Sequence, residues 1–188
     1  MNQKFNYTLK VKENITYLSV IGIIDEDNNL QEIAERIGSG TVILNLNHIE
    51  RINSCGVRDW VNWLSSIEDK GAKVVLVECS PAIVAQINLV NNFTGNATVQ
   101  SFYAPYFCAG CDKEKVLLIE STTMQNVENP SAPISRCDEC DGVMEFDDME
   151  ESYFAFLKTT TLGPLPDELP EGWEEFLAVE SSMTSDKR

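Results

Sequence analysis

The chain has 188 residues, 43% of them hydrophobic, enough for one ordinary domain plus an appendage. With 14 Lys and Arg against 30 Asp and Glu the formal charge is -16, so nucleic acid and anionic membrane surfaces are repelled and a basic partner is favoured. The start, Met1 to Asn6, lacks the apolar segment of a signal peptide, and no stretch approaches the roughly 18 apolar residues of a membrane span, so a cytoplasmic protein is expected.

Charge divides the chain unevenly. Residues 1–103 hold 11 acids and 8 bases, whereas residues 104–188 hold 19 acids and 6 bases, together with four of the six cysteines. The expected organisation is therefore an α/β domain over 1–103, a cysteine-bearing region over 104–161 and an acidic flexible tail over 162–188, with the first boundary near Tyr103 to Phe107.

Taken in order, Tyr7 to Lys12 and Ile15 to Ile21 flank Glu13-Asn14 and predict an antiparallel hairpin. Leu30, Ile33, Ala34 and Ile37 fall at i, i+3, i+4 and i+7, which predicts a short helix that Gly38 ends. Val42-Ile43-Leu44 and Val74-Val75-Leu76-Val77 are continuous apolar runs, the pattern of strands covered on both faces. Val57, Trp60, Val61 and Leu64 supply one covering helix. Ser80-Pro81 caps and starts another, with Ile83, Val84 and Ile87 inward. A last strand is expected from about Thr98 to Tyr103. The order β-β-α-β-α-β-α-β gives an open, mixed α/β sheet with packed helices.

Two pairs, Cys108-Ala109-Gly110-Cys111 and Cys137-Asp138-Glu139-Cys140, are separated by the 25 residues from Asp112 to Arg136. This is zinc-ribbon spacing. Each C-x-x-C places two thiolates on one face of a tight turn, and four sulfurs fill a tetrahedral zinc with no open position, so the expected cofactor is a structural zinc. Val116-Leu117-Leu118-Ile119 is the strand expected between the two turns, and disulfides are the alternative in an oxidising compartment. Cys55 and Cys79 each stand alone and read as small buried hydrophobes, and His48 reads as a loop residue beside the sheet rather than a ligand. After the ribbon, Met144 to Leu157 begins with acids and continues with Tyr153, Phe154, Phe156 and Leu157, a helix expected to dock on the main domain. Gly163-Pro164-Leu165-Pro166 then breaks regular structure, and the acidic tail with Trp173 and Phe176 is expected to be dispensable for folding.

The stretch Asn53-Ser54-Cys55-Gly56-Val57 sits between the buried strand Val42 to Leu46 and an amphipathic helix. Ser54 has two readings there: a helix cap accepting a backbone N–H, and a site where a phosphate is added. With the hairpin, strand and following helix, this turn resembles the STAS domain of bacterial anti-sigma factor antagonists over residues 4–103. In that family an acidic residue, a serine, a small residue and a glycine open the second helix, and a serine kinase that is also the anti-sigma factor phosphorylates the serine. Carried over by position, the resemblance makes Ser54 the switch and Asn53, Ser54, Cys55, Gly56 and Arg58 the partner-binding surface. Asn53 stands where the family commonly has Asp, and Cys55 where it often has Ser.

The expected function is thus a non-enzymatic regulatory module, a STAS-like domain fused to a zinc ribbon, that binds a serine kinase, an anti-sigma factor or a related signalling protein. No phosphate loop of the G-x-x-x-x-G-K type and no open metal triad is visible in the sequence. The alternatives are a STAS-fold scaffold that has lost phosphorylation and a nucleic-acid-binding zinc ribbon, which the acidic charge disfavours.

Overall fold

A computed structural model describes residues 4–166. The hairpin forms as expected: β1 (Phe5–Lys12) pairs antiparallel with β2 (Ile15–Ile24), and Glu13 takes the turn at φ 54°. β3 (Gly40–Ile52) and β4 (Ala72–Val77) follow β2 in parallel, and β5 (Thr98–Val99) and β9 (Thr161–Leu162) complete one mixed sheet in the order β1-β2-β3-β4-β5-β9. Helices α1 (Leu30–Glu35), α2 (Ser54–Glu68) and α3 (Pro81–Leu89) supply the apolar faces that cover it. Among the described residues no helix is long and apolar enough to cross a membrane.

The parallel runs are buried on both faces, as continuous apolar strands require. Leu18, Val42, Leu44, Val74 and Leu76 point into the main core with the helices, whereas Ile15, Tyr17, Ile43, Val75 and Val77 form a second apolar cluster on the opposite face. α2 is anchored by an aromatic group: Trp60 stacks on Phe93 at 5.4 Å, and its indole N–H donates to the Phe93 carbonyl at 2.9 Å. The buried stripe of α2 is Gly56, Trp60, Trp63, Leu64 and Ile67, so it lies further round the helix than the expected Val57–Trp60–Val61–Leu64 stripe, whose valines are half-buried.

Several expectations need correction. α1 stops at Glu35, before Gly38, although Ile37 remains in the core. β3 is longer than its apolar run because its second half stays paired to β2 through two register shifts, and His48 therefore lies on a strand opposite Ile21 rather than in a loop. The expected strand Thr98–Tyr103 divides at Gln100. Its first two residues pair with β4, and its remainder begins β6 (Ser101–Cys108), the central strand of a second, antiparallel sheet with β7 (Lys113–Glu120) and β8 (Glu145–Phe146).

The two sheets are not separated by a linker. Gln100 N–H donates to Leu76, Cys79 N–H to Ser101 and Tyr103 N–H to Cys79, so the start of β6 continues the hydrogen-bonding of the first sheet. The expected boundary at 103–107 lies inside β6. The expected docking helix at 144–157 is β8, a single helical turn α4 (Glu150–Tyr153) and a 3-10 turn (Ala155–Lys158). Its aromatics do dock: Phe154 and Phe156 meet Phe102 edge-on at 6.1 and 5.1 Å, and Phe146 stacks on Phe154. The segment from 162 starts as structure, with Leu162 in β9 and Leu165 seated on the second apolar cluster. The expectation for residues 167–188 lies outside the described residues.

Candidate functional site

α2 follows β3 and begins beside the end of β2, where the Asn53 N–H donates to the Ile24 carbonyl. Asn53 holds extended backbone, φ -95° and ψ 176°, and its side-chain oxygen accepts the Gly56 N–H at 2.8 Å. Asn53, not Ser54, is therefore the N-cap. The helical conformation begins at Ser54, whose side chain is exposed beside the unpaired N–H groups of the first turn. Cys55 is exposed too, a correction to its reading as a buried hydrophobe: the second helical position points away from the sheet.

Gly56 explains how tightly this turn is held. A Cβ there would lie 2.3 Å from the Ile24 carbonyl oxygen, so the helix rests directly on the backbone at the end of β2. The Asn53 N–H reaches the same carbonyl at 3.1 Å. Gly56 is consequently buried, and among the five residues expected to meet a partner, Ser54, Cys55 and Arg58 are the exposed ones, while Asn53 is half-buried. Arg58 is engaged with Asp59 at 2.9 Å.

The same contact brings the turn after β2 to the mouth of α2, a neighbour that local sequence reasoning missed. Glu26 accepts from the Asn53 amide at 2.6 Å, and this hydrogen bond holds the Glu26 carboxyl below its ordinary range. Asp25 is almost fully buried and paired with Lys4. The Lys4 hydrogen bond, with the Asp27 N–H, lowers the Asp25 pKa despite burial, and the same hydrogen bond raises that of Lys4. The mouth of α2 thus brings residues 25–28 beside 53–58, with Ser54 exposed in the first helical turn and Glu26 held on the neighbouring Asn53.

The second sheet builds a different site. Cys108 ends β6, Cys111 lies in the turn to β7, and Cys137 and Cys140 occupy a matching turn. The turns have the same geometry: Asp112 N–H donates to Cys108 at 2.8 Å, Asp141 N–H to Cys137 at 3.0 Å, and both aspartates are left-handed at φ 58° and 56°. All four sulfurs lie within 4.8 Å of one another, with Cys111 Sγ 3.5 Å from Cys108 and 3.3 Å from Cys137, and Cys108 Sγ 3.5 Å from Cys140. Four thiolates about 2.3 Å from a tetrahedral centre are separated by roughly 3.8 Å, so the donor set fits one metal ion. Backbone N–H groups of Cys140 and Glu139, with the Cys111 thiol, bring the Cys137 pKa down to about 6, while the hydrogen bonds to Cys137 and Cys108 push that of Cys111 up. Cations flank the cluster: Lys113, Lys115 and Arg136 pair with Glu139, Asp138 and Asp141. Cys79 is fully buried as expected, its thiol pushed up to about 12 by burial.

A family model described as the STAS domain matches residues 6–101. The chain belongs to the STAS domain family. The match covers β1 to β5 and their three helices and ends at Ser101, the first residue of β6, so β9 and the four-cysteine sheet lie beyond it. Solved structures with a similar fold include the anti-sigma factor antagonist SpoIIAA in its unphosphorylated form, 17% identical over 45% of this chain and 79% of that chain with a TM-score of 0.37. An anti-sigma factor antagonist from Mycobacterium paratuberculosis is 18% identical over 47% of this chain and 80% of that chain, with a TM-score of 0.36. No curated protein gives a match.

Proposed function

We propose that this STAS domain is a non-enzymatic regulatory module that binds a signalling protein through the mouth of α2, with Ser54 as a phosphorylation switch. The observation that supports this reading is the division of labour between neighbours. Asn53 makes the capping bond, which frees the exposed Ser54 hydroxyl from the structural task that serine usually performs at this place. A phosphate on Ser54 would add about 1.5 to 2 negative charges beside the first-turn N–H groups, which tolerate it, one residue from the Asn53 that holds the acidic Glu26. The expected partner is a serine kinase or anti-sigma factor, as the resemblance of the Asn53 to Val57 turn to the anti-sigma factor antagonists implies. The test is mass spectrometry of Ser54 in protein isolated from its own cells, with binding of the co-purifying kinase to wild type, Ser54→Ala and Ser54→Asp. An unmodified Ser54, together with equal binding by all three forms, removes the switch.

The four-cysteine cluster is proposed to hold structural zinc. Closed tetrahedral thiolate coordination leaves no position for a substrate, and the surrounding turns supply N–H donors to sulfur. Elemental analysis of freshly purified protein should find one zinc per chain.

A further inference from the structure

β7 is an edge strand: it pairs with β6 on one side, and among the described residues no strand pairs with its other side. Ser121 N–H donates to Gln100, a bonded pair in the register of β6 and β7, so the odd-numbered residues of β7 bond to β6 and the even-numbered ones turn their N–H and C=O to the open edge. That edge ends at Glu120, whose carbonyl takes the Thr123 hydroxyl at 2.7 Å. The side chains divide in the same way. Leu117 and Ile119 pack on the core, and Lys113 and Lys115 reach Glu139 and Asp138, whereas Val116 and Leu118 stand 48% and 46% exposed on the opposite face. This outer face is apolar in the middle and acidic at its ends. Leu118 lies beside Tyr103 and Val116 beside Pro105, both half-buried, and Phe107 lies between Glu114 and Glu145. Every charged residue that the three strands direct to this face, Glu114, Glu120 and Glu145, is an acid. Glu78 adds a fourth where it accepts the Tyr103 hydroxyl at 3.0 Å.

We propose that the open edge of β7 is a second docking surface, sharing no residue with the mouth of α2, and that its occupant is an extended basic segment of a partner protein, added to the sheet as a further strand. The alternation of β7 sets the pattern of that segment. Apolar side chains at two alternate positions cover Val116 and Leu118, and a basic side chain at each flanking alternate position meets Glu114 or Glu120. Backbone bonds to the outward N–H and C=O groups of Val116 and Leu118 hold the strand, and the acids select its charge. A second copy of the chain does not suit the edge. Pairing two β7 strands about Leu117, the register that matches Val116 with Leu118, sets Glu114 against Glu120 twice, in a protein whose formal charge is already -16.

Fluorescence anisotropy of a labelled, capped peptide, Arg-Thr-Val-Thr-Val-Thr-Arg, titrated with the full chain tests this. Binding should saturate. Glu114→Lys/Glu120→Lys should weaken it about tenfold, and the peptide with Glu in place of both Arg should prefer that variant to the wild type. Changes in the peptide backbone test the strand pairing with the protein unaltered. Methylating the nitrogens of both Val residues, which face β7, should lower affinity about tenfold, whereas methylating the central Thr nitrogen, which faces away, should change it less than about twofold. No saturable binding, equal losses from the two methylations, or wild-type affinity in Glu114→Lys/Glu120→Lys overturns the proposal. So does self-association in sedimentation that Val116→Lys/Leu118→Lys abolishes, because the occupant is then a second copy.

Discussion

The Asn53 side chain accepts the Gly56 N–H at 2.8 Å and thereby caps α2 one residue before Ser54. Neighbouring substitutions should separate accordingly. Asn53→Ala removes both this bond and the link to Glu26 and should cost about 1 kcal/mol, whereas Ser54→Ala should stay within about 0.5 kcal/mol. Urea midpoints of the two variants check this. A larger loss for Ser54→Ala than for Asn53→Ala would return the capping role to the serine and weaken its reading as a switch.

Gly56 should be the least replaceable residue of the turn. The added methyl of Gly56→Ala meets a backbone carbonyl at 2.3 Å, and backbone cannot swing aside as a side-chain tip can. α2 must lift from β2, at a cost of about 3 kcal/mol, the upper end of overpacking penalties. Thermal melting should show a drop of several degrees, and the cost should recur in Ser54→Asp and wild-type backgrounds alike.

What could be read from local pattern here was whatever repeats within a few residues. The hairpin around Glu13, the parallel runs at Val42 and Val74, α3 and the two C-x-x-C turns all announce themselves by spacing. The division of Thr98–Tyr103 does not, because it is decided by Gln100 and Ser101 bonding to Leu76 and Cys79, partners more than twenty residues away. α2 presents six apolar residues between Val57 and Ile67, too wide a stripe to show which side faces the sheet until Gly56 on the Ile24 carbonyl sets the rotation. β9 has two residues, below any periodic signal. Asn53 and Ser54 are both good caps, so only the side-chain geometry distinguishes them.

The Lys4–Asp25 pair sets an acid limb of stability. Asp25 is lowered in the folded state, so its contribution is present above its unfolded pKa of about 3.9 and is lost as pH falls through the folded value. Lys4 is raised, so its share is present below its unfolded pKa of about 10.4 and is lost only as pH climbs beyond. Between these limits the pair holds. Asp25→Asn should therefore be less stable than wild type at pH 7, with the gap narrowing at pH 3 and below. A gap unchanged down to pH 2.5 would mean that the substitution acts by packing alone.

Metal removal should loosen the chain from the cysteine turns inward and stop at the aromatic cluster. Cys108 and Cys137 belong to the same continuous core as Phe102 and Leu76, and β6 carries backbone bonding from the first sheet directly to the cluster. Without the ion, the four cysteines within 4.8 Å retain only weak contacts between sulfurs. The turns at 108–112 and 137–142 should then open. Further along β6, Tyr106 meets Phe146 at 5.7 Å, and Tyr153 donates to the Tyr103 carbonyl at 2.5 Å, contacts that need no metal. Hydrogen exchange after chelation should accordingly rise at both turns and the outer half of β7, while β2, β3 and β4 keep their protection. Cys137→Ser should reproduce the pattern. Loss of protection throughout β2–β4 would show instead that the metal supports the whole STAS domain, and unchanged exchange at both turns would remove its structural role.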